Sequence, residues 1–274
     1  MNQAIADPAI QLVPVHAMGR DMTIECQWIA PDKTEGDLLV FLHEGLGSAS
    51  MWKDWPARLC AAAGCRGLVF SRYGYGNSTP RPHDEKWPVD FMHIQARDAL
   101  PALFQALGID GERPILFGHS DGGSIALLYA AMYPERVKAI AVAAPHIFVE
   151  DITISNIEQA RVAYLTTSLP EKLGRYHQDP DSAFWGWNDI WLNPGFRAWN
   201  IESFLDRIAC PVLAIQGEGD EYGTLDQIYG IRRLAPQTEL CVIADCGHSP
   251  HRDQPDTVIG AVSTFMGKLN SRHP

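Results

Sequence analysis

The chain has 274 residues and a formal net charge of -11, from 33 Asp and Glu against 22 Lys and Arg. With no Lys/Arg cluster to offset it, that balance repels a phosphate backbone, so nucleic acid is not an expected partner. Hydrophobic residues make up 46% and charged residues 20%, enough apolar material for a large core, which excludes disorder as the main state.

No apolar run reaches the roughly 18–20 residues that span a bilayer, so no membrane association is expected. The opening residues MNQAIADPAI contain no basic stretch followed by an apolar one, which predicts no secretory leader and a cytoplasmic location. Six cysteines are present: Cys26, Cys60, Cys65, Cys210, Cys241 and Cys246. In a chain of this length without a leader they read as reduced thiols used in packing, and none has C-x-x-C spacing.

Two alternating stretches, IQLVPVHA and TIECQWIA, flank the turn-like Met18-Gly19-Arg20-Asp21 and predict a β-hairpin. DLLVFLHEGLG is a short apolar run closed by glycines, as expected of a strand covered on both faces. GLVFSRYGYG repeats that pattern, and a helix is predicted between the two from about Trp52 to Ala63. Phe91, Ile94, Ala99, Leu103 and Leu107 fall on roughly one helical stripe that Gly108 ends. RPILFGHSDGG reads as strand and turn, GSIALLYAAMY as a buried helix stopped before Pro134, and VKAIAVAAP as another buried strand. This β-α alternation predicts a parallel sheet with helices on both faces.

After Pro145 the rhythm breaks. Residues 146–200 read as helical in part and hold Trp185, Trp187, Trp191 and Trp199. Strands resume at Pro211, whose missing N–H is tolerated at a strand's first position. TELCVIADCGH is the last predicted strand and Asp256 to Leu269 the closing helix. The chain thus divides into a sheet domain over residues 1–145 and 201–274 and a helical insertion over 146–200.

The strongest chemical signal is Gly118-His119-Ser120-Asp121-Gly122, a G-x-S-x-G between an apolar strand and an apolar helix. The glycines let strand and helix approach without Cβ clashes, and the strained turn lifts the Ser120 hydroxyl above the sheet's carboxyl edge. The Asp121 N–H then opens a helix, ready to donate to an oxyanion. Serine needs a base, and the base an orienting carboxylate. Asp220, in Gly217-Glu218-Gly219-Asp220, and His248, in Cys246-Gly247-His248, follow the last two strands at the same edge. Glu150 competes for the carboxylate role, though Asp220 has the freer turn around it. Asp253 is expected to cap the closing helix. His251 makes an H-x-x-H with His248 but has no third ligand in view, so neither metal nor cofactor is expected.

Together GHSDGG, LHEGLGS, SRYGYGNS and the pair GEGD and CGHSPH resemble the α/β-hydrolase superfamily over nearly the whole chain. The resemblance implies a mostly parallel eight-stranded sheet with helices on both faces and 146–200 as an inserted helical cap. It implies Ser120 as nucleophile, His248 as general base and acid, and Asp220 as the carboxylate that fixes the imidazole. His43-Glu44-Gly45-Leu46-Gly47 then matches the oxyanion-hole loop, with the Leu46 amide favoured as donor and Gly45 next. His43 is expected to support the loop, and Glu44 to shape the turn or orient a substrate polar group. Ser71 stands where relatives carry aspartate, a structural turn outside the site. Glu44, His119, Trp185, Trp187 and Trp191 are the candidates for lining the substrate pocket, with the cap tryptophans divided between packing and lining.

The expected activity is hydrolysis of a carboxylic ester of a small to medium, partly apolar molecule, with a small-molecule substrate as partner and a homodimer left open. A C–C bond hydrolase of ring-cleavage products is the alternative, although His119 and Ser249 stand where such relatives carry Asn and Trp. Enol-lactone, amide and thioester hydrolysis also stay open, as do a cofactor-independent oxygenase and a non-catalytic ligand receptor on the same fold. A dehalogenase is disfavoured by serine at the elbow.

Overall fold

The computed structural model describes residues 10–33 and 35–271. Of the segment read for a leader, residues 1–9 lie outside that range. Among the described residues one sheet forms, in the order β1-β2-β4-β3-β5-β6-β7-β8. Its strands are β1 (Ile10–Ala17), β2 (Arg20–Ile29), β3 (Leu38–Leu42), β4 (Arg66–Phe70), β5 (Ile115–His119), β6 (Ala139–Ala143), β7 (Val212–Gly217) and β8 (Thr238–Ile243). β2 runs antiparallel to β1 and β4, and every other pairing is parallel. The fold is the α/β-hydrolase fold that the motifs implied.

Eleven α-helical segments join these strands among the described residues. α1 (Trp55–Ala63) links β3 to β4, while α2 (Phe91–Ile94) and α3 (Leu100–Ala106) precede β5. α4 (Asp121–Met132) follows the elbow. Between β6 and β7 come α5 (Asp151–Thr166), α6 (Leu169–Leu173), α7 (Pro180–Trp191) and α8 (Glu202–Leu205). α9 (Asp226–Leu234), α10 (Pro250–Asp253) and α11 (Pro255–Asn270) complete the chain.

The two-residue period of a strand separates the core into two layers. On β3, Leu39 and Phe41 face Trp52, Trp55 and Leu59 near α1 and Val258 and Val262 of α11. Leu38, Val40 and Leu42 face the other way, into a core with Phe104, Ile125, Leu128 and Ile231. β3, β5, β6 and β7 are buried along their whole length, which explains their unbroken apolar text. Because they are parallel, the loops after β3, β5, β6, β7 and β8 all open at one edge.

Local chemistry moves three predicted boundaries. The helix expected from Trp52 is a 3-10 turn over Ala49–Trp52, then Lys53 at φ 54°, with α1 starting at Trp55 ahead of Pro56. The stripe from Phe91 to Leu107 is interrupted by a π-helical turn over Gln95–Ala99. Pro101 has no N–H to offer the Arg97 carbonyl, which accepts from the Tyr133 hydroxyl at 2.9 Å instead. Asp253 does not cap α11, whose N-terminal flank is Gln254; its carboxylate accepts from the Gly247 N–H at 2.9 Å and shapes the loop carrying His248.

The segment that carries α5 to α8 is closed at its base by backbone pairing. Phe148 and Asn200 form an antiparallel bridge there, and the Ile201 N–H donates to the Ile147 carbonyl at 2.8 Å.

Candidate active site

Ser120 lies at the turn between β5 and α4 with φ 51° and ψ -119°, a conformation costly for a residue with a Cβ. The neighbouring glycines make that turn feasible. A Cβ on Gly118 would collide with the Gly122 backbone, and one on Gly122 with the Leu42 carbonyl. The Ser120 Oγ donates to His248 Nε2 at 2.9 Å, and His248 Nδ1 donates to Asp220 Oδ1 at 2.8 Å. Residues from the ends of three strands thus form one hydrogen-bonded chain, each of them at most 9% exposed.

Asp220 is held on every side. Oδ1 also accepts from the Tyr222 and Gly223 amides at 2.9 and 3.2 Å, and Oδ2 from Gln216 Nε2 at 3.1 Å. Burial works against its charge, yet the bonds from His248 and the Tyr222 amide outweigh burial and hold the carboxyl below its ordinary range. The competing Glu150 is engaged elsewhere: it accepts from the Thr224 amide and hydroxyl and from Gln227. Glu221 accepts from the His248 N–H at 3.0 Å, so backbone bonds to Glu221 and Asp253 flank the imidazole.

The loop after β3 is pinned from beneath. The Glu44 carbonyl accepts from His43 Nδ1 at 2.7 Å, Arg72 Nη2 at 2.8 Å and the Gly47 N–H at 3.1 Å. In a trans peptide the N–H points opposite to the carbonyl, so these bonds fix the direction of the Gly45 N–H. The Leu46 carbonyl accepts from His177 Nε2 at 3.0 Å, while His177 Nδ1 accepts from the Gly76 N–H at 3.0 Å. His43 is buried, with both ring nitrogens engaged. Burial, reinforced by Arg72, pushes it well below the usual histidine range, as suits a structural role.

Gly45, Leu46, Glu44, His119, Asp121, Trp187 and Trp191 all border the same cleft as Ser120 and His248, a space of about 220 Å³. Trp185 does not. It lies over Arg161 beside a different surface cleft bordered by Lys86 and Asp189. Helical geometry explains the correction: Trp187 and Trp191 are four residues apart and share a face of α7, whereas Trp185 is about 200° round from Trp187. The Trp187 indole rests directly on Gly45, where no Cβ would fit. Trp191 Nε1 donates to Asp121 Oδ1 at 3.2 Å, leaving Oδ2 buried without a partner, and burial raises the Asp121 carboxyl above its ordinary value.

Several residues that support the site were not singled out in the sequence. His146, just beyond β6, has its ring 5.6 Å from that of His248 and 4.9 Å from Trp191; burial, with His248 alongside, pushes it down to about 3. Arg72 holds the loop after β3, as above. At the turn after β4 a carboxylate comes from β2. Glu25 Oε2 accepts from the Ser71 hydroxyl at 2.6 Å and from the Asn77 N–H at 2.9 Å. Alternation places Glu25 on the polar face of β2 with Thr23 and Gln27, opposite Met22, Ile24 and Cys26, so no signal in the sequence marks its burial. His251 packs on Trp52 and Trp55, with ring centroids at 4.6 and 5.5 Å. Among the described residues no group of three or more His, Cys, Asp and Glu side chains is arranged to hold a metal ion, and no helix is long and apolar enough to cross a membrane.

These features coincide with known proteins at the level of the family. The model of the alpha/beta hydrolase family matches residues 39–261, and the chain belongs to that family. It is 23% identical to epoxide hydrolase 4 of Mus musculus across 92% of this chain and 79% of that one. It is 27% identical to the 2-hydroxy-6-oxo-6-phenylhexa-2,4-dienoate hydrolase of Burkholderia cepacia, across 79% of this chain and 83% of that one. A thermophilic esterase from Thermogutta terrifontis superposes with a TM-score of 0.71 at 20% identity, covering 95% of this chain and 99% of the esterase. The protein is a hydrolase of this fold.

Proposed function

We propose that the protein is a serine hydrolase acting on carboxylic esters of small, partly apolar molecules. The observation that carries the reading is the chain Ser120–His248–Asp220, with both links under 3 Å and the hydroxyl on a strained turn. In this scheme His248 Nε2 takes the Ser120 proton as Oγ attacks the carbonyl carbon. The imidazolium is stabilised by Asp220 and then protonates the leaving alcohol; water repeats the sequence on the acyl-enzyme. The oxyanion donors in this scheme are the Asp121 N–H at the start of α4 and a backbone N–H of the loop after β3, from Leu46 or from Gly45, whose direction the bonds to the Glu44 carbonyl fix. The insertion acts as a cap through Trp187 and Trp191.

A hydroxyl nucleophile favours acyl transfer over epoxide opening. Attack by Ser120 on an epoxide carbon would leave an ether, which water does not cleave, whereas an acyl-enzyme turns over. Met51, Ile157, Leu173 and Trp187 give the cleft an apolar wall suited to a compact acyl or alcohol group.

The test is turnover of 4-nitrophenyl acetate, butyrate and benzoate beside 6-oxo-dienoate ring-cleavage products, for the wild-type protein and Ser120→Ala. Ester hydrolysis abolished by Ser120→Ala is the expected result. Turnover of the dienoates alone would move the assignment to C–C hydrolysis, and a folded protein inert towards both classes would contradict it.

A further inference from the structure

Glu44 and His119 face each other across the floor of the cleft, and the acyl-transfer scheme uses neither. His119 is 1% exposed, and its Nε2 lies 2.7 Å from the carbonyl oxygen of His248. A carbonyl only accepts, so Nε2 carries a proton. Nδ1 then faces Glu44 Oε2 at 3.5 Å and has no other partner. In a neutral ring that nitrogen would be a buried bare lone pair opposed to a carboxylate, two acceptors facing each other with only the Glu44 side open to the cleft. A second proton on the ring removes the conflict and turns it into an imidazolium–carboxylate pair.

The surroundings support the extra proton. Burial opposes charge on His119, but the facing Glu44 carboxylate, the His248 carbonyl and Asp220 outweigh it and hold the ring above the usual histidine range. Burial likewise opposes charge on Glu44, yet the hydrogen bond and charge of His119 hold that carboxyl well below its ordinary value. The other groups packed around the pair do not supply a competing proton. His251, with its ring centroid 4.8 Å away, and His43 are both kept neutral by burial. The His248 ring is 5.3 Å away. Asp121 and Arg252 border the same cleft with opposite formal charges.

We propose that Glu44 and His119 share one stored proton and act as a positioning pair, tying the oxyanion loop through Glu44 to the backbone of His248 through His119. Neither residue touches the reacting atoms. When alkali removes the proton, lone pair and carboxylate repel, the loop is released from the His248 segment, and the donors and the base lose their mutual alignment. The alkaline decline of activity therefore belongs to this pair. That kinetic consequence rests on the proposed role of His248, whereas the proton itself does not.

Nitrogen-15 spectra of the histidine-labelled wild-type protein test the proton directly, with the His119 ring assigned by comparison with His119→Gln. Both ring nitrogens of His119 protonated at neutral pH, with Nδ1 losing its proton only above the ordinary histidine range, is the expected result. In Glu44→Gln the new amide donates to Nδ1, so His119 becomes neutral at that pH, and the alkaline limb of kcat disappears while the acid limb stays. A bare Nδ1 at neutral pH in the wild-type protein, or an alkaline limb that Glu44→Gln leaves in place, would overturn the proposal. The spectra need no substrate, so the pair is decided there even if no ester is turned over.

Discussion

At the scale of single residues, the site is decided by which carboxylate reaches the imidazole. Asp220 accepts from His248 Nδ1, while Glu150 is occupied by Thr224 and Gln227. Asp220→Asn should preserve the fold and lower kcat on the order of 10⁴-fold, because an amide can stabilise the wrong tautomer of the ring. Glu150→Gln should retain most turnover. Steady-state kinetics on both, with circular dichroism as the control, checks the pair, and the reverse order of effects would reassign the acid. Ser120, Asp220 and His248 were legible because each follows an apolar strand directly and sits among glycines. Glu25, Arg72 and His146 were not, because their roles come from strands and loops that meet only in the folded sheet.

At the scale of elements, α7 and the elbow carry the most sequence-specific packing. Trp191→Phe removes the donor to Asp121 Oδ1 and leaves that buried carboxyl with no partner on either oxygen. A loss of about 1–3 kcal/mol in urea unfolding is expected. Trp187→Phe, whose ring lines the cleft rather than bonding a buried carboxyl, should cost less and act on KM through the cleft wall. Equal destabilisation by the two would contradict the division of α7 into a bonded and a lining tryptophan. At the elbow, Gly122→Ala would drive a Cβ into the Leu42 carbonyl. It should lower the thermal midpoint by an amount corresponding to about 1–3 kcal/mol or more. The helical phase that separates Trp185 from Trp187 and Trp191 was present in the sequence, but only the packing of α7 shows which face meets the cleft. Likewise the stripe from Phe91 to Leu107 read as one helix, because apolar periodicity does not register that Pro101 lacks an N–H or that the Tyr133 hydroxyl meets the freed Arg97 carbonyl.

At the scale of the whole molecule, stability is tied to pH through histidines buried in the neutral form. His146 is pushed down to about 3, and His43 and His251 lie well below their ordinary value, in each case first through burial. The unfolded chain takes up protons on these rings below a pH of about 6.5, whereas the folded chain refuses them until far lower. Unfolding therefore consumes protons, and stability present above that value is lost as pH falls. Each such ring contributes a slope of up to about 1.4 kcal/mol per pH unit. Urea unfolding between neutral pH and mildly acidic pH should show a steep decline that His146→Gln makes shallower. A flat profile would mean that these rings are charged in the folded state. The mostly parallel sheet and the single active edge were readable from the alternation of apolar runs; the strand order and the packing of so many imidazoles around one serine were not, since they bring together segments far apart in the chain.

The central claim is that one activated hydroxyl does the chemistry. Treating the native protein with a fluorophosphonate and mapping the adduct by peptide mass spectrometry tests it most directly. The account predicts a single modification, on Ser120, much slower in His248→Ala and absent in Ser120→Ala; a folded wild-type protein that stays unmodified, or is modified at another residue with Ser120 untouched, would contradict it.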